Sequence, residues 1–343
     1  MTRLEVDGSF RPPPWLRNGH IQSIVSSLRV RRRWLARSWN ELLANSRELV
    51  LDCGEGVRLQ AFHSRHPRAE PSAPTRVAVL LHGWEGSADS LYVLSLAQEL
   101  FVRGFEVVRL NLRDHGETHH LNRELFHSCR LSEVIGAVRD LQRRFRGSAL
   151  HLAGFSLGGN FMLRVAAHAD TAGLELARVV AISPVLEPAA TLSALEQGLT
   201  AYHSYFVRKW TSSLMKKQAA WPQDYDFEPL RKLSDLRRMT SELVRQFTEF
   251  ASLEDYLSGY AITGARLAQL AVPSTIITAL DDPIIPPADL KRLAHSPALR
   301  VIATRHGGHC GFLQRLSTAT WAERRAAAEL DQSVSSGSAS PRK

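Results

Sequence analysis

Three residue types with the right spacing stand out for chemistry: a serine between glycines, a histidine in a glycine-rich loop, and a pair of adjacent carboxylates. Gly154-Phe155-Ser156-Leu157-Gly158-Gly159 follows the apolar run Ala149 to Ala153 and precedes a helical pattern. Small neighbours allow a sharp strand-to-helix turn that lifts the serine hydroxyl clear of the backbone, beside a helix N-terminus. That hydroxyl is a weak nucleophile until a base removes its proton. Among fourteen histidines, His309 is the candidate base, because His306-Gly307-Gly308-His309-Cys310-Gly311-Phe312 follows the last strand-like run and its glycines permit close approach. His306 is read as a rim or packing residue. An imidazole of ordinary pKa, about 6.5, predicts turnover that rises from acid to neutral pH.

The base needs an acid that holds its tautomer and stabilises the imidazolium. Asp281-Asp282-Pro283-Ile284-Ile285-Pro286 offers two, directly after the strand-like run Ser274 to Leu280. Neighbours on an extended chain face opposite sides, so one of them reaches His309. A tetrahedral intermediate also needs preorganised donors for its oxyanion. The turn His82-Gly83-Trp84-Glu85-Gly86 closes the run Val77 to Leu81, and the backbone N–H groups of Trp84 and Leu157 are the expected donors, with His82 itself structural. The chemistry expected of this set is acyl transfer through a covalent acyl-enzyme.

Metal and redox chemistry find little footing. The remaining histidines, including the pair His119-His120, lack ligand spacing. Cys53, Cys129 and Cys310 are widely spaced and odd in number, which argues against a disulfide framework and for reduced thiols. Cys310, beside His309, is read as a small packed residue rather than a second nucleophile. No metal or organic cofactor is expected.

Short β-branched runs alternating with amphipathic helices would position these groups. Glu48–Cys53 and Val57–His63 form a hairpin around Gly54-Glu55-Gly56, and His66 to Thr75 is a surface loop. Strands at Val77–His82, Phe105–Leu110, Ala149–Ala153 and Val179–Ser183 alternate with helices at Ser90–Arg103, Leu131–Phe145 and Phe161–Ala169. This is the grammar of βαβ units and a parallel sheet. It stops near Glu187 and resumes at Pro273 with strands Ser274–Leu280 and Leu299–Thr304 and helices Ala288–Ala294 and Thr318–Leu330. The interval 187–272 is an expected helical insertion, with pieces at Leu192–Leu199, Ala201–Lys217 and Leu230–Glu249. Residues 1–45 are expected to be an arm packed on the core of 46–186 and 273–330, and 331–343 a disordered tail.

A net charge of +9 over 343 residues admits several partners. Its densest stretch, Arg29 to Arg37, carries five arginines among Val30, Trp34, Leu35 and Ala36. It reads as a solvated helix face anchored by its tryptophans, with peripheral contact to anionic lipid as the alternative. No nucleic-acid motif accompanies it. Nothing approaches the roughly 20 apolar residues of a membrane span, and residues 1–18 hold no apolar segment of signal-peptide type, so a cytoplasmic protein is expected. No motif speaks to oligomeric state.

His82-Gly83, Asn111-Leu112-Arg113-Asp114-His115-Gly116, Gly154 to Gly158, Asp281 to Pro286 and Gly308-His309 together resemble the α/β-hydrolases. The arm Pro13-Pro14-Trp15-Leu16-Arg17-Asn18-Gly19-His20-Ile21-Gln22, with Ser156-Leu157-Gly158-Gly159-Asn160, resembles the YheT-like branch of predicted esterases. The resemblance runs from about Pro12 to Leu330. It implies a mostly parallel sheet flanked by helices, a lid formed by the insertion, and a triad in the chain order Ser156, Asp282, His309. Asp282 is chosen over Asp281 because Asp282-Pro283-Ile284-Ile285-Pro286 resembles the phrase that follows the acid in these hydrolases. The implied substrate is an ester or acylglycerol-like lipid. Acyl transfer to an alcohol, or a binding or membrane-surface role without catalysis, are the alternatives. Asp114-His115 departs from the branch, where small residues are usual, and leaves the pocket wall open. Tyr202, Tyr205, Phe206, Trp210 and Trp221 of the insertion either line an acyl pocket or form the insertion's own core.

Overall fold

The computed structural model describes residues 3–67 and 76–332. The chain opens with strand β1 (Arg3–Val6) and helices α1 (Gly19–Ser26), α2 (Arg29–Leu35) and α3 (Asn40–Ala44). The hairpin β2 (Ser46–Asp52) and β3 (Arg58–Ser64) leads into β4 (Arg76–Leu81), α4 (Leu91–Phe101), β5 (Glu106–Leu110), α5 (Leu131–Arg144), β6 (Ala149–Phe155), α6 (Leu157–Ala167) and β7 (Leu176–Ile182). Five helices then intervene: α7 (Pro188–Gln197), α8 (Thr200–Ala220), α9 (Glu228–Arg231), α10 (Leu236–Phe247) and α11 (Leu253–Gly259). The sheet is completed by β8 (Ser274–Ala279) and β9 (Leu299–Thr304), and α12 (Trp321–Leu330) closes the fold.

The nine strands lie in the order β1-β9-β8-β7-β6-β4-β5-β3-β2. Every pairing is parallel except those of β3 with β5 and with β2. Central β4 shows why the runs are uniformly apolar: Val77, Val79 and Leu81 enter one core layer while Ala78 and Leu80 enter the other. A parallel strand covered on both faces has no solvent side on which to alternate. On the first face lie Val134, Val138 and Leu141 of α5 and Phe161 and Val165 of α6; on the second lie Leu94, Leu96 and Leu100 of α4 and Ala326 and Leu330 of α12. Leu35 and Trp39 of the N-terminal segment join the second layer.

Several expected boundaries move. Helix α6 begins at Leu157, four residues before the expected Phe161. Gly158 and Gly159 look like a turn in sequence, but a Cβ on Gly158 would stand 2.3 Å from the His82 carbonyl oxygen. That glycine serves the close approach of helix to strand end rather than a loop. The expected helix Leu230–Glu249 is two, α9 and α10, because Asp235 caps the second by accepting the Arg238 N–H at 2.7 Å. The expected helix Ala288–Ala294 is a 3₁₀ turn at Pro287–Arg292, and α11, capped by Ser252, was not anticipated. Within the N-terminal segment, β1 adds a strand beside β9. Most of the expected loop 66–75 and tail 331–343 lies outside the described residues.

Candidate active site

Strand β6 delivers Ser156 at the carboxyl edge of the sheet, with φ 51° and ψ −118°. A non-glycine residue at positive φ is strained and persists because its surroundings hold it. Here the Ser156 N–H donates to Ile182 O at 2.9 Å and its carbonyl accepts from Asn160 N at 3.0 Å. The turn after β4 stands alongside: a Cβ on Gly83 would lie 3.2 Å from the Ser156 Cβ. That turn is closed by Gly86 N–H on Gly83 O at 3.0 Å. Buried His82 pins it. Its Nε2 accepts from Leu112 N at 3.2 Å, so Nδ1 carries the hydrogen and donates to Gly83 O at 2.7 Å. Burial, helped by nearby His115, pulls the His82 pKa down to about 3 and keeps the ring neutral.

His309 bridges the serine and an acid. Its Nε2 lies 3.0 Å from Ser156 Oγ and its Nδ1 lies 3.0 Å from Asp282 Oδ2. The Asp282 side chain is wholly buried, and its Oδ1 accepts the N–H groups of Ile284 and Ile285 at 2.8 and 2.9 Å. One carboxylate oxygen is thus anchored to backbone while the other faces the imidazole. Burial works against a charged His309, but the Asp282 carboxylate and, behind it, neighbouring Cys310 together raise the pKa well above the ordinary value. The pH limb expected near 6.5 therefore moves upward.

Asp281 faces the other way and has a different partner. Its Oδ1 accepts the Gly308 N–H at 2.9 Å, while its Oδ2 lies 3.7 Å from Nδ1 of His306 at the rim. The histidine loop is also gripped by helix α1, a contact that sequence reasoning missed. Ser23 Oγ accepts the His309 N–H at 2.8 Å, and Gln22 Oε1 accepts the Leu313 N–H at 2.6 Å. The amide of Gln22, wholly buried, donates to Leu16 O at 2.7 Å and Leu313 O at 3.1 Å. Gly19 and Gly308 approach so closely that a Cβ on Gly308, at φ +57°, would stand 2.1 Å from the Gly19 carbonyl oxygen. The Pro13–Gln22 phrase was legible as a family mark, but its purpose needs the fold.

A cavity of about 470 Å³ opens over Ser156 and His309. Leu192, Leu195, Leu243, Val244 and Leu257 of the insertion form much of its apolar wall. Tyr202, Tyr205, Phe206 and Trp210 also face it, whereas Trp221 does not and instead donates to His119 O at 2.9 Å. Trp84 stacks on Phe206 at 5.2 Å and meets Trp210 edge-on at 5.2 Å, joining the β4 turn to α8. Of the two residues that depart from the branch, Asp114 fastens the same helix, while His115 packs between His82 and Phe126 at 4.9 and 4.7 Å. Fully buried Lys217 of α8 donates to Asp114 Oδ1 at 2.9 Å and to the carbonyls of Asn122 and Glu124 at 2.6 and 3.0 Å. Burial still pushes the Asp114 carboxyl up to about 6.

Cys310 borders the cavity, with its N–H on Ser183 Oγ at 3.3 Å, and all three cysteines are free thiols. Among the described residues no group of three or more His, Cys, Asp or Glu is placed to hold a metal.

A family model described as the alpha/beta hydrolase fold matches residues 77–316. The chain is 26% identical to the Escherichia coli (strain K12) protein named "Putative esterase YheT" over 313 residues, 89% of this chain and 87% of that one. It is 21% identical to the Saccharomyces cerevisiae monoacylglycerol lipase over 274 residues, 77% of this chain and 61% of that one. Among solved structures, a membrane phospholipase A matches with TM-score 0.54 and 16% identity, covering 88% of this chain and 92% of that one. An esterase of Pyrococcus furiosus matches with TM-score 0.51 and 13% identity, covering 78% and 86%. A nearly all-parallel sheet with Ser156 at its carboxyl edge, matched by that model along most of its length, makes this chain a hydrolase of the α/β-hydrolase family, of the YheT-like kind.

Proposed function

We propose that the protein is a serine carboxylic-ester hydrolase acting through an acyl-enzyme on esters with an apolar acyl group, acylglycerols or related lipids among them. The observation that carries this reading is His309 standing 3.0 Å from both Ser156 Oγ and Asp282 Oδ2 at the floor of an apolar cavity. His309 Nε2 takes the Ser156 proton as Oγ attacks the ester carbonyl carbon, and Asp282 holds the ring and balances the imidazolium. The oxyanion is received by the backbone N–H groups of Trp84 and Leu157. Leu157 is the first residue of α6, where an N–H has no partner within the helix. His309 returns the proton to the departing alcohol. Water, activated by the same nitrogen, then releases the acid. Helices α7 to α11 act as the lid, and their aliphatic side chains receive the acyl chain. The free thiols fit a reducing compartment, the cytoplasm.

The test is labelling by a fluorophosphonate probe beside turnover of p-nitrophenyl esters of graded chain length and of mono- and diacylglycerols. Native protein should label and hydrolyse, and Ser156→Ala should do neither while melting like the native chain. Retained labelling in Ser156→Ala would overturn the assignment. Transfer of the acyl group onto added alcohol in place of acid release would move the reading to acyl transfer.

A further inference from the structure

We propose that the face built from α1, α2 and the start of α8 docks on an anionic lipid bilayer, so that the cavity draws its ester from the membrane; the second half of this statement rests on the esterase reading, the first does not. Helix α1 turns Ile21 and Ile24 outward, and Leu28 follows at the next turn before α2. Their spacing of three and four places them on one stripe. Beyond the extended link at Leu28, Val30 and Trp34 form a second outward pair, four apart on α2, and these five side chains are 40–48 % exposed. Where a solvated helix carries polar groups, this one carries aliphatics and an indole. The tryptophans do not both anchor the segment: Trp39 is buried, but Trp34 is not.

The stripe runs to the mouth of the cavity. Ile24, Ser27, Tyr202 and Tyr205 line it, so residues of α1 and α8 share the rim. The two elements touch there, with the His20 ring stacked on Tyr202 at 5.8 Å and its Nδ1 at 3.3 Å from the Tyr202 hydroxyl. On α8, Tyr205 is itself 43 % exposed, as is Leu199 just before the helix.

Charge points to the chemistry of the partner. Residues 8–40 contain seven arginines and no acid, and residues 197–223 contain four lysines and arginines and no acid. Together these two segments exceed the whole net charge of +9, so the rest of the chain is slightly acidic. Arg31 and Lys217 are buried and bonded internally. Arg29, Arg33 and Arg37 are exposed and form no ion pair among the described residues. A face with unpaired cations around exposed aliphatic and indole groups matches the headgroup boundary of an anionic leaflet, where cations meet phosphates and apolar tips enter the acyl zone. No described helix is long and apolar enough to cross the membrane, so the contact is peripheral. A nucleic acid would use the arginines but leave the apolar stripe without a role.

The test is co-sedimentation of the full chain with phosphatidylcholine vesicles, with and without phosphatidylglycerol, alongside turnover of a soluble short-chain p-nitrophenyl ester. Native protein should sediment with the anionic vesicles and not with the neutral ones. Arg29→Glu/Arg33→Glu/Arg37→Glu should lower partitioning by at least about a hundredfold, and Leu28→Ser/Trp34→Ser by about tenfold. Both variants should keep the native melt and the native rate on the soluble ester. Docking is overturned if native protein ignores anionic vesicles, if Leu28→Ser/Trp34→Ser binds as the native chain does, or if a short RNA binds in equal measure and is equally indifferent to that substitution. Vesicle binding without ester turnover would leave docking standing and sink the esterase reading; ester turnover without vesicle binding would do the reverse.

Discussion

Replacing Asp282 by asparagine changes one atom, and the structure dictates where the new NH2 goes. Oδ1 of Asp282 accepts two backbone N–H groups, from Ile284 and Ile285 at 2.8 and 2.9 Å. An amide placed with its nitrogen there would set donor against donor twice. The amide oxygen therefore keeps the Oδ1 position, and the NH2 points at His309 Nδ1, 3.0 Å away. Nδ1 must then accept, which moves the ring hydrogen to Nε2, 3.0 Å from Ser156 Oγ. A nitrogen that carries a hydrogen cannot take the serine proton. Loss of the correct tautomer lowers turnover by about 10⁴ in well-studied triads, equivalent to about 5.5 kcal/mol of barrier. Asp281→Asn meets no such conflict, because its amide oxygen still accepts the Gly308 N–H that Oδ1 accepts at 2.9 Å. Its rate should fall less than about tenfold, the worth of weakening one charge-assisted hydrogen bond. The assay is kcat under substrate saturation for both variants, with thermal melts to verify folding. A crippled Asp281→Asn beside a nearly normal Asp282→Asn would refute the assignment of the acid while leaving the nucleophile untouched.

The base must be neutral to act, and Asp282 raises its pKa, so kcat/KM should climb with pH through an inflection above 6.5; a pH–rate profile with its limb well below that value would contradict His309 as base. In Asp282→Asn the largest raising influence is gone while burial remains, so the limb of the residual activity should shift to lower pH, and an unmoved limb would argue against the pairing. Gln22→Ala strips partners from the Leu313 N–H and from the carbonyls of Leu16 and Leu313. Denaturant melts should show a loss of about 3 kcal/mol, and kcat should fall more than KM rises because the loop carrying His309 loosens; an unchanged midpoint and kcat would remove α1 from its positioning role. Lys217→Met leaves Asp114 in its buried site without its cation and should cost about 3–5 kcal/mol. Adding Asp114→Leu should recover part of that loss, and a fully additive double variant would show that the pair is not coupled.

What could be read from sequence depended on how far along the chain a residue's partner lies. The strand runs and most helices of the βαβ series came through because their signal is local: a buried strand such as Val77–Leu81 is apolar at every position, and its flanking helices carry a period of 3.6. Ser156 was legible for the same reason, since the strand, the glycines and the helix that shape its turn are neighbours in the chain. His309 and Asp282 could be nominated from the strands they follow, but their distances to Ser156 are facts of the fold alone. Strand β1 escaped notice because four residues are too few to show a period, and its partner β9 lies almost 300 residues away. Helix α1 is the sharpest case. Gln22 looks like one polar residue in a short amphipathic helix, yet it reaches across 291 residues to clamp the segment that presents His309. The same helix buries Gln22, offers Ser23 to the His309 N–H and turns Ile21 and Ile24 to solvent. A helix of eight residues has faces enough for both tasks. Through Ser23 and Gln22 its inner face is bonded directly to the loop that carries His309.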